Sequence, residues 1–212
     1  MKNVNPKPAH GYMGKISTFP IHEGLGIEYA TSEDECQKFT SLMWPDGNGH
    51  FCETVHSYAK MAAELQQLLV KMLCESYGIE KHSHTDKSFV SILHQNHVKG
   101  LEIRTKDGEW ISYEPSSHSS FAVVAGDVCM AWSNDRIKSC YHRVIVEGED
   151  VRYAVGLFSF LTGLIKAPEE LVDEEHPLQY YPFEHQGLLD FYQSSNSLNK
   201  GDSNMVKAYC GV

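Results

Sequence analysis

Two histidines and one aspartate are spaced so that three metal ligands could meet in a β-rich region. His84 and Asp86 flank Thr85, and His142 follows much later in the chain. Residues i and i+2 of a strand point to the same face, so His84 and Asp86 can direct an imidazole and a carboxylate to one point. Alone, this pair carries little weight, because with 12 histidines in 212 residues chance yields roughly one such pair in every two chains.

His142 strengthens the metal hypothesis. It lies in a predicted strand from Tyr141 to Val146 and shares a face with Val144, so we expect it to point into an apolar interior. Two histidines and one carboxylate form the facial triad of non-haem Fe(II) oxygenases, which leaves coordination positions open. Zinc more often takes a closed tetrahedral set or three histidines. The alternative is a buried histidine with one backbone hydrogen bond.

Arg152 begins the next predicted strand, which runs from Arg152 to Phe160 and is mainly apolar. A buried guanidinium needs an anionic partner, because an isolated buried charge is very costly. That partner is either a structural Asp or Glu, or a carboxylate of a bound co-substrate that the arginine grips with two parallel hydrogen bonds.

The elements that would position these residues follow from the pattern. The first 30 residues, rich in Gly and Pro, are expected to be irregular. Ser32 and Glu35 resemble a capping box for a helix to about Trp44, and a longer helix with one apolar stripe should run from His50 to about Ser76 and stop at Gly78. After it, closely spaced short strands indicate a sandwich, barrel or jelly roll. The predicted strands and the C-terminal helix cover residues 88–95, 101–105, 110–113, 121–124, 128–132, 141–146, 152–160 and, for the helix, 188–192.

Composition limits the classes of partner. The chain has 18 Lys and Arg against 28 Asp and Glu, a formal net charge of −10, which disfavours binding to a phosphate backbone. No apolar run is long enough to span a membrane, and residues 1–12 do not read as a signal peptide. Six widely spaced cysteines are typical of free thiols. We therefore expect a cytoplasmic, monomeric single domain that binds neither nucleic acid nor membrane.

Three segments together resemble the plant Fe(II)/2-oxoglutarate-dependent dioxygenases, and most of all their AOP-like class of specialised metabolism. These segments read SHTDKSFVSILHQNHVKGLEI, GDVCMAWSNDRIKSCYHRVIVEG and RYAVGLFSF. The resemblance implies a double-stranded β-helix, a jelly roll with flanking helices. It implies that His84, Asp86 and His142 bind Fe(II) and that Arg152 holds 2-oxoglutarate, with ascorbate as an accessory reductant. The implied reaction uses O2 to hydroxylate or desaturate a small molecule while 2-oxoglutarate becomes succinate and CO2.

The resemblance implies three parts of one domain: an irregular and helical part at residues 1–81, the β core at residues 82–165 and a C-terminal wrap at residues 166–212. It also exposes departures. Ala154 stands where the family has a serine that helps to bind 2-oxoglutarate. Segments before His84 and at the N-terminus are expected to be missing, which would leave an incomplete barrel with an open sheet edge. Two alternatives follow: a truncated, non-catalytic homologue, or a related metal oxidase that does not use 2-oxoglutarate.

Overall fold

The computed structural model describes residues 11–16, 19–78, 89–145, 147–194 and 204–212. Contacts within the chain divide it into two units, Met1–Leu65 and Gln66–Val212. The first unit contains the strands β1 (Gly11–Ile16) and β2 (Phe19–Gly26), the helix α1 (Glu33–Met43) and the N-terminal part of helix α2 (Gly49–Ser76).

The N-terminal region forms a hairpin, which corrects the prediction of irregular structure. β1 and β2 pair antiparallel, from Gly11 opposite Gly26 to Ile16 opposite Phe19, with a register shift between Gly14 and Ile16. Glycine and proline weaken a strand, yet the bonds of a two-stranded ribbon join backbone atoms and need no particular side chain. Composition therefore misled the prediction at this point.

The two predicted helices are confirmed with small changes at their ends. Ser32 is the N-cap residue of α1, but its side chain makes no capping hydrogen bond, and Glu35 instead pairs with Lys38 at 2.6 Å. α2 buries one side, and at its end Gly78 adopts a positive φ of 68° and donates its N–H to the carbonyl of Glu75 at 3.2 Å. Glycine takes this conformation without steric cost, which is why the helix stops there.

Two antiparallel sheets of three described strands each make up the β core of the second unit. One sheet has the strand order β6–β3–β8 and the other β5–β4–β7. The strands are β3 (Val90–Gln95), β4 (Leu101–Arg104), β5 (Trp110–Ser112), β6 (Ala122–Ala125), β7 (His142–Val144) and β8 (Ala154–Phe158). β4 and β5 form a hairpin, as the favoured turn dipeptide Asp107-Gly108 predicts, and Gly108 has a φ of 87° in the turn. β7 and β8, which carry the predicted site, are largely exposed.

One predicted strand is wrong. Residues 128–132 belong to a short helix, α3 (Asp127–Trp132), whose residues 128–131 are all buried. A short, continuous apolar run does not distinguish a buried strand from a buried helix by its periodicity. Here Gly126 is the N-cap residue and Asp127 places a negative charge in the first turn, where it favours a helix start rather than a hairpin turn.

The largest buried cluster of the second unit gathers around α3 and the C-terminal elements. These elements are β9 (Leu164–Ile165), a short 3-10 helix (Glu169–Leu171), β10 (Phe183–Glu184), α4 (His185–Ser194) and α5 (Asn204–Cys210). The buried side chains include Val128, Met130, Ile165, Tyr180, Phe183, Leu188 and Val206. α4 contains the predicted helix at residues 188–192. This packing joins the C-terminal elements to α3 and to the start of β3.

All six cysteines are free, as predicted. Within the ranges given above, no helix combines the length and the apolar character that crossing a bilayer requires.

Asp135 ties the C-terminal wrap to the turn that follows α3. Its carboxylate accepts a hydrogen bond from the hydroxyl of Tyr180 at 2.7 Å and pairs with Lys207 of α5 at 3.0 Å. Burial alone would raise the pKa of this carboxyl, but the bonds from Tyr180 and Lys207 hold the pKa below its ordinary value. Asp135 also has a φ of 68°, a conformation that Asp and Asn tolerate better than most residues.

Because the folded pKa of Asp135 is lowered, its contribution to stability is complete above its ordinary pKa and is lost as the pH falls through the folded value. We expect the free energy of unfolding to decline below about pH 4. Asp135→Asn, which keeps the backbone conformation, should lower the free energy of unfolding at pH 7 by about 1.5–3 kcal/mol and flatten that decline. Denaturant titrations at several pH values measure both. Asp46→Asn, at an exposed loop residue, is the matched control, and equal effects of the two variants would contradict the assignment.

Candidate active site

His142 lies on the apolar face of the sheet β5–β4–β7. In the register, His142 is opposite Ile103, and Val144 is opposite the fully buried Leu101. The other face carries Arg143, which pairs with Glu102 at 2.6 Å and lies 4.0 Å from the centre of the Trp110 ring. The predicted face is therefore correct. The predicted buried environment is wrong, because all three residues of β7 are exposed. His142 thus lies on the expected face of the strand, but the described residues do not cover that face.

A backbone hydrogen bond fixes the orientation of the His142 ring. Its Nδ1 lies 2.9 Å from the carbonyl oxygen of Cys140, which can only accept, so Nδ1 carries the proton. Nε2 is then left with its lone pair directed away from the bond. Histidines that bind metals usually donate their second ring nitrogen to a carbonyl or carboxylate in this way. The geometry suits a metal ligand on an exposed edge of a cleft.

His84 and Asp86 lie outside the described residues, so the structure places one of the three predicted ligands. Among residues that it does describe, no three His, Cys, Asp or Glu side chains come together in a way that could hold a metal ion. His142 can therefore complete a metal site only with ligands from elsewhere in the chain, and the sequence offers His84 and Asp86 for that role.

Arg152 lies directly before β8 and is half-buried. Its Nη2 donates a hydrogen bond to the side-chain oxygen of Gln95 at 2.7 Å. Its Nε is buried and has no hydrogen-bond partner among the described residues. Burial lowers the pKa of the guanidinium from its ordinary value. No described carboxylate pairs with it, so the structural Asp or Glu that was one predicted partner is not among the described residues.

A buried arginine with a neutral partner and an unused donor fits an anionic ligand. A carboxylate would supply the missing charge and accept from the free Nε–H, which removes the cost of an uncompensated buried cation. This is the fit expected of a group that holds the distal carboxylate of 2-oxoglutarate. The orphaned Nε of Arg152 is the structural observation that carries it.

Two neighbours of Arg152 were not anticipated from the sequence. Gln95 is the last residue of β3, and Asn96 follows it. The Asn96 side chain donates to the carbonyl of Val151 at 2.9 Å and accepts from the N–H of Tyr153 at 3.1 Å, so it holds the backbone on both sides of Arg152. The available signal was the run His94-Gln95-Asn96, three polar residues at the end of an otherwise largely apolar strand.

Gly100 leaves room for the Arg152 side chain. A Cβ at this position would lie 2.9 Å from Cδ of Arg152 and 3.0 Å from the carbonyl oxygen of Ile145. Real Cβ atoms do not approach other atoms so closely, so a side chain here would displace the arginine or the backbone. Gly100 directly precedes β4, which belongs to the opposite sheet from β8. Arg152 therefore lies where the two sheets come together.

Trp132 and Phe160, which by type could line a substrate pocket or pack the core, have different surroundings. Trp132 packs edge-on against Phe89, with 4.7 Å between ring centres, and belongs to the periphery of the core. Phe160 lies 5.4 Å from the ring of His185. His185 lines a cavity of about 180 Å³ together with Asp127 and Tyr192. Burial lowers the pKa of His185 to about 4, so this ring is neutral at physiological pH. Neither aromatic residue lines this cavity: Phe160 contacts its wall through His185, and Trp132 contacts its wall through Phe89.

Two antiparallel three-stranded sheets and a half-buried arginine whose Nε has no described partner are features expected of an oxygenase jelly roll. The profile of the 2OG-Fe(II) oxygenase superfamily matches residues 70–160. A probable 2-oxoglutarate-dependent dioxygenase AOP1.2 of Arabidopsis thaliana is 38% identical over 231 aligned positions, which cover 91% of this chain and 70% of the relative. The chain therefore belongs to the 2OG-Fe(II) oxygenase superfamily and is a 2-oxoglutarate- and Fe(II)-dependent dioxygenase.

Within that superfamily the chain is similar to plant enzymes of the AOP-like class. The 2-oxoglutarate-dependent dioxygenase AOP3 of Arabidopsis thaliana is 41% identical over 340 aligned positions, which cover the whole of this chain and 81% of the relative. Both alignments are longer than the 212-residue chain, so these relatives contain internal residues without a counterpart here. The rice dioxygenase for auxin oxidation has a similar structure, with a TM-score of 0.80, 26% identity and coverage of 99% of this chain and 78% of that one.

The close approach of Gly100 to the Arg152 side chain can be used to test the arginine site. Gly100→Ala should push Arg152 away from Gln95 and weaken binding of 2-oxoglutarate about tenfold, because one charge-assisted hydrogen bond is misplaced. Isothermal titration of the Fe(II)-loaded protein under anaerobic conditions measures this. Gly49→Ala is the control, since a Cβ there meets nothing within 4 Å. Unchanged affinity in Gly100→Ala would mean that Arg152 does not depend on this clearance.

Proposed function

We propose that this dioxygenase hydroxylates or desaturates a small plant specialised metabolite, with His84, Asp86 and His142 as the Fe(II) ligands and Arg152 as the anchor of the 2-oxoglutarate distal carboxylate. The observation that carries the proposal is the half-buried Arg152, whose Nε has no partner in the described chain. The family membership supplies the reaction class. The kind of substrate is supported by the structurally similar rice enzyme, whose name gives auxin, a small plant molecule, as what it oxidises.

Each residue has a defined task in this proposal. Arg152 binds and orients 2-oxoglutarate through its free Nε–H and the remaining hydrogens of its guanidinium. His142 presents Nε2, because Cys140 holds the proton on Nδ1. Leu101 and Ile103 give the face that carries His142 an apolar character, although His142 itself is exposed. When bound, iron and 2-oxoglutarate together would supply the oxidising chemistry: 2-oxoglutarate and the substrate each lose two electrons to O2, and 2-oxoglutarate releases CO2. One oxygen atom ends in succinate, and the other ends in the hydroxylated product or, in a desaturation, in water.

Several further expectations stay predictions. These are the monomeric state, the cytoplasmic location, the absence of nucleic-acid and membrane binding, and the use of ascorbate as a reductant. The division into residues 1–81, 82–165 and 166–212 is likewise a proposal about how the parts of the oxygenase domain are arranged along the chain.

The ligand assignment is tested by an anaerobic titration. Addition of Fe(II) and 2-oxoglutarate to the folded protein should produce a weak visible charge-transfer band, and His142→Ala should abolish it because one metal ligand is lost. His118→Ala, which changes an exposed histidine, should leave the band unchanged. No band with folded natural protein would favour the non-catalytic alternative. A band that forms with Fe(II) alone would favour the metal oxidase that does not use 2-oxoglutarate.

The anchor assignment is tested separately. Arg152→Met should raise the 2-oxoglutarate concentration for half-saturation about 100-fold, because it removes a buried charge-assisted contact. Arg152→Lys should recover only part of the loss, since an ammonium cannot reproduce the planar fork. Arg143→Met is the matched control, because Arg143 lies on the opposite, charged face of β7 and already has Glu102 as a partner. Equal effects of Arg152→Met and Arg143→Met would refute the anchor.

A further inference from the structure

Gln95 is the described side chain that hydrogen-bonds to Arg152. The side-chain oxygen of Gln95 accepts from Nη2 of Arg152 at 2.7 Å, and its Nε2 donates to the carbonyl of Val98 at 3.2 Å. The side chain is 7% exposed. An amide held at both ends and excluded from water has one available orientation, so it presents its oxygen to the guanidinium and to nothing else.

The strand pairing shows why Gln95 of β3, and not a residue of β8, supports Arg152. Gln95 is directly opposite Ala154 in the pairing of β3 with β8, so the two residues share a face. Ala154 follows Arg152 by two residues, which places positions 152 and 154 on one side of the strand. Ala154 has no polar atom in its side chain. On this part of the sheet, the polar support for the guanidinium therefore comes from β3 and not from β8 itself.

The backbone around Arg152 is also held from β3. Asn96 binds Val151 and Tyr153, the two residues that flank the arginine, and its own N–H donates to the carbonyl of Tyr153 at 3.1 Å. Asn96 thereby holds the backbone on both sides of Arg152, and Gln95 holds its guanidinium group. The remaining buried donor, Nε, is the one left for a ligand.

We propose that Gln95 is a positioning residue that sets the orientation of Arg152 and thereby determines the affinity for the distal carboxylate of 2-oxoglutarate, a role that position 154 cannot share because it is alanine. This inference rests on the proposed function, in which Arg152 anchors 2-oxoglutarate. Gln95 does not contact the co-substrate in this scheme. It acts by keeping the arginine in the one conformation that exposes Nε to the ligand.

Gln95→Met tests the proposal, because methionine keeps the volume and removes both hydrogen-bonding groups. Isothermal titration of the anaerobic Fe(II)-loaded protein should show about tenfold weaker binding of 2-oxoglutarate. Binding of 2-oxopentanoate, which has the same 2-oxo acid head and chain but no distal carboxylate, should be unchanged. Gln66→Met is the matched control: Gln66 is a buried glutamine on α2, 4% exposed, whose amide donates to Ser159 and does not contact Arg152. This control should leave the affinity for both acids unchanged.

A rescue variant separates positioning from general destabilisation. Ala154→Ser is made in both the natural and the Gln95→Met backgrounds, and it should raise the affinity for 2-oxoglutarate more in Gln95→Met, because only there can the new hydroxyl take over support of Arg152. An equal gain in both backgrounds would reflect a direct contact of the serine with 2-oxoglutarate and would contradict the proposal. If Gln95→Met prevents folding, Gln95→Glu serves instead. Its carboxylate should pair with Arg152, raise the melting temperature and still weaken binding of 2-oxoglutarate, because it competes for the guanidinium.

The titration results decide between the positioning role of Gln95 and its alternatives. Selective loss of 2-oxoglutarate affinity with rescue by Ala154→Ser supports the proposal. Equal loss for 2-oxoglutarate and 2-oxopentanoate, or no loss in Gln95→Met, overturns it. A large effect of Arg152→Met without an effect of Gln95→Met overturns the positioning role and leaves the proposed function intact. No effect of Arg152→Met overturns the anchor assignment itself, and the role of Gln95 with it.

Discussion

The guanidinium of Arg152 lies half-buried where the two sheets of the β core meet, and its one described partner is a neutral amide. A buried cation with so little compensation is unfavourable unless an anion joins it. Much of the local structure is arranged around this charge: Gln95 accepts from Nη2, Asn96 holds the backbone on either side, and Gly100 leaves space for the side chain. The structure thus maintains a charge that a dicarboxylic co-substrate would neutralise.

The rest of the second unit gives this arrangement a rigid base. A buried cluster surrounds α3 and the C-terminal elements, and Asp135 links the turn after α3 to Tyr180 and to Lys207 of α5. β7 follows that turn, and so the position of His142 depends on it. By contrast, β7 and β8 are largely exposed. Stability and ligand binding are therefore concentrated in different parts of the same unit, which is common where a binding site needs an open cleft.

Several features could be predicted because they depend on local chemistry. The long helix follows from one apolar stripe and a terminal glycine, and the β4–β5 hairpin from Asp107-Gly108. The jelly roll and its cofactors were instead implied by the resemblance of three sequence segments to a known family. The failures have equally local causes. A continuous apolar run at residues 128–132 has no periodicity that separates strand from helix, and the glycine-rich N-terminus hid a hairpin whose bonds are all between backbone atoms.

The sequence by itself determined which residues could do chemistry: two histidines and an aspartate with the spacing of a metal site, and an arginine in an apolar strand. It also has an alanine at position 154, where the family resemblance implies a serine. The tertiary structure decided what surrounds them. It placed His142 on the predicted face but left it exposed, and it gave Arg152 the amide of Gln95 as a partner. Side-chain type fixes the chemistry a residue can perform, whereas burial and partners depend on which strands pair, and that pairing joins residues far apart in the chain.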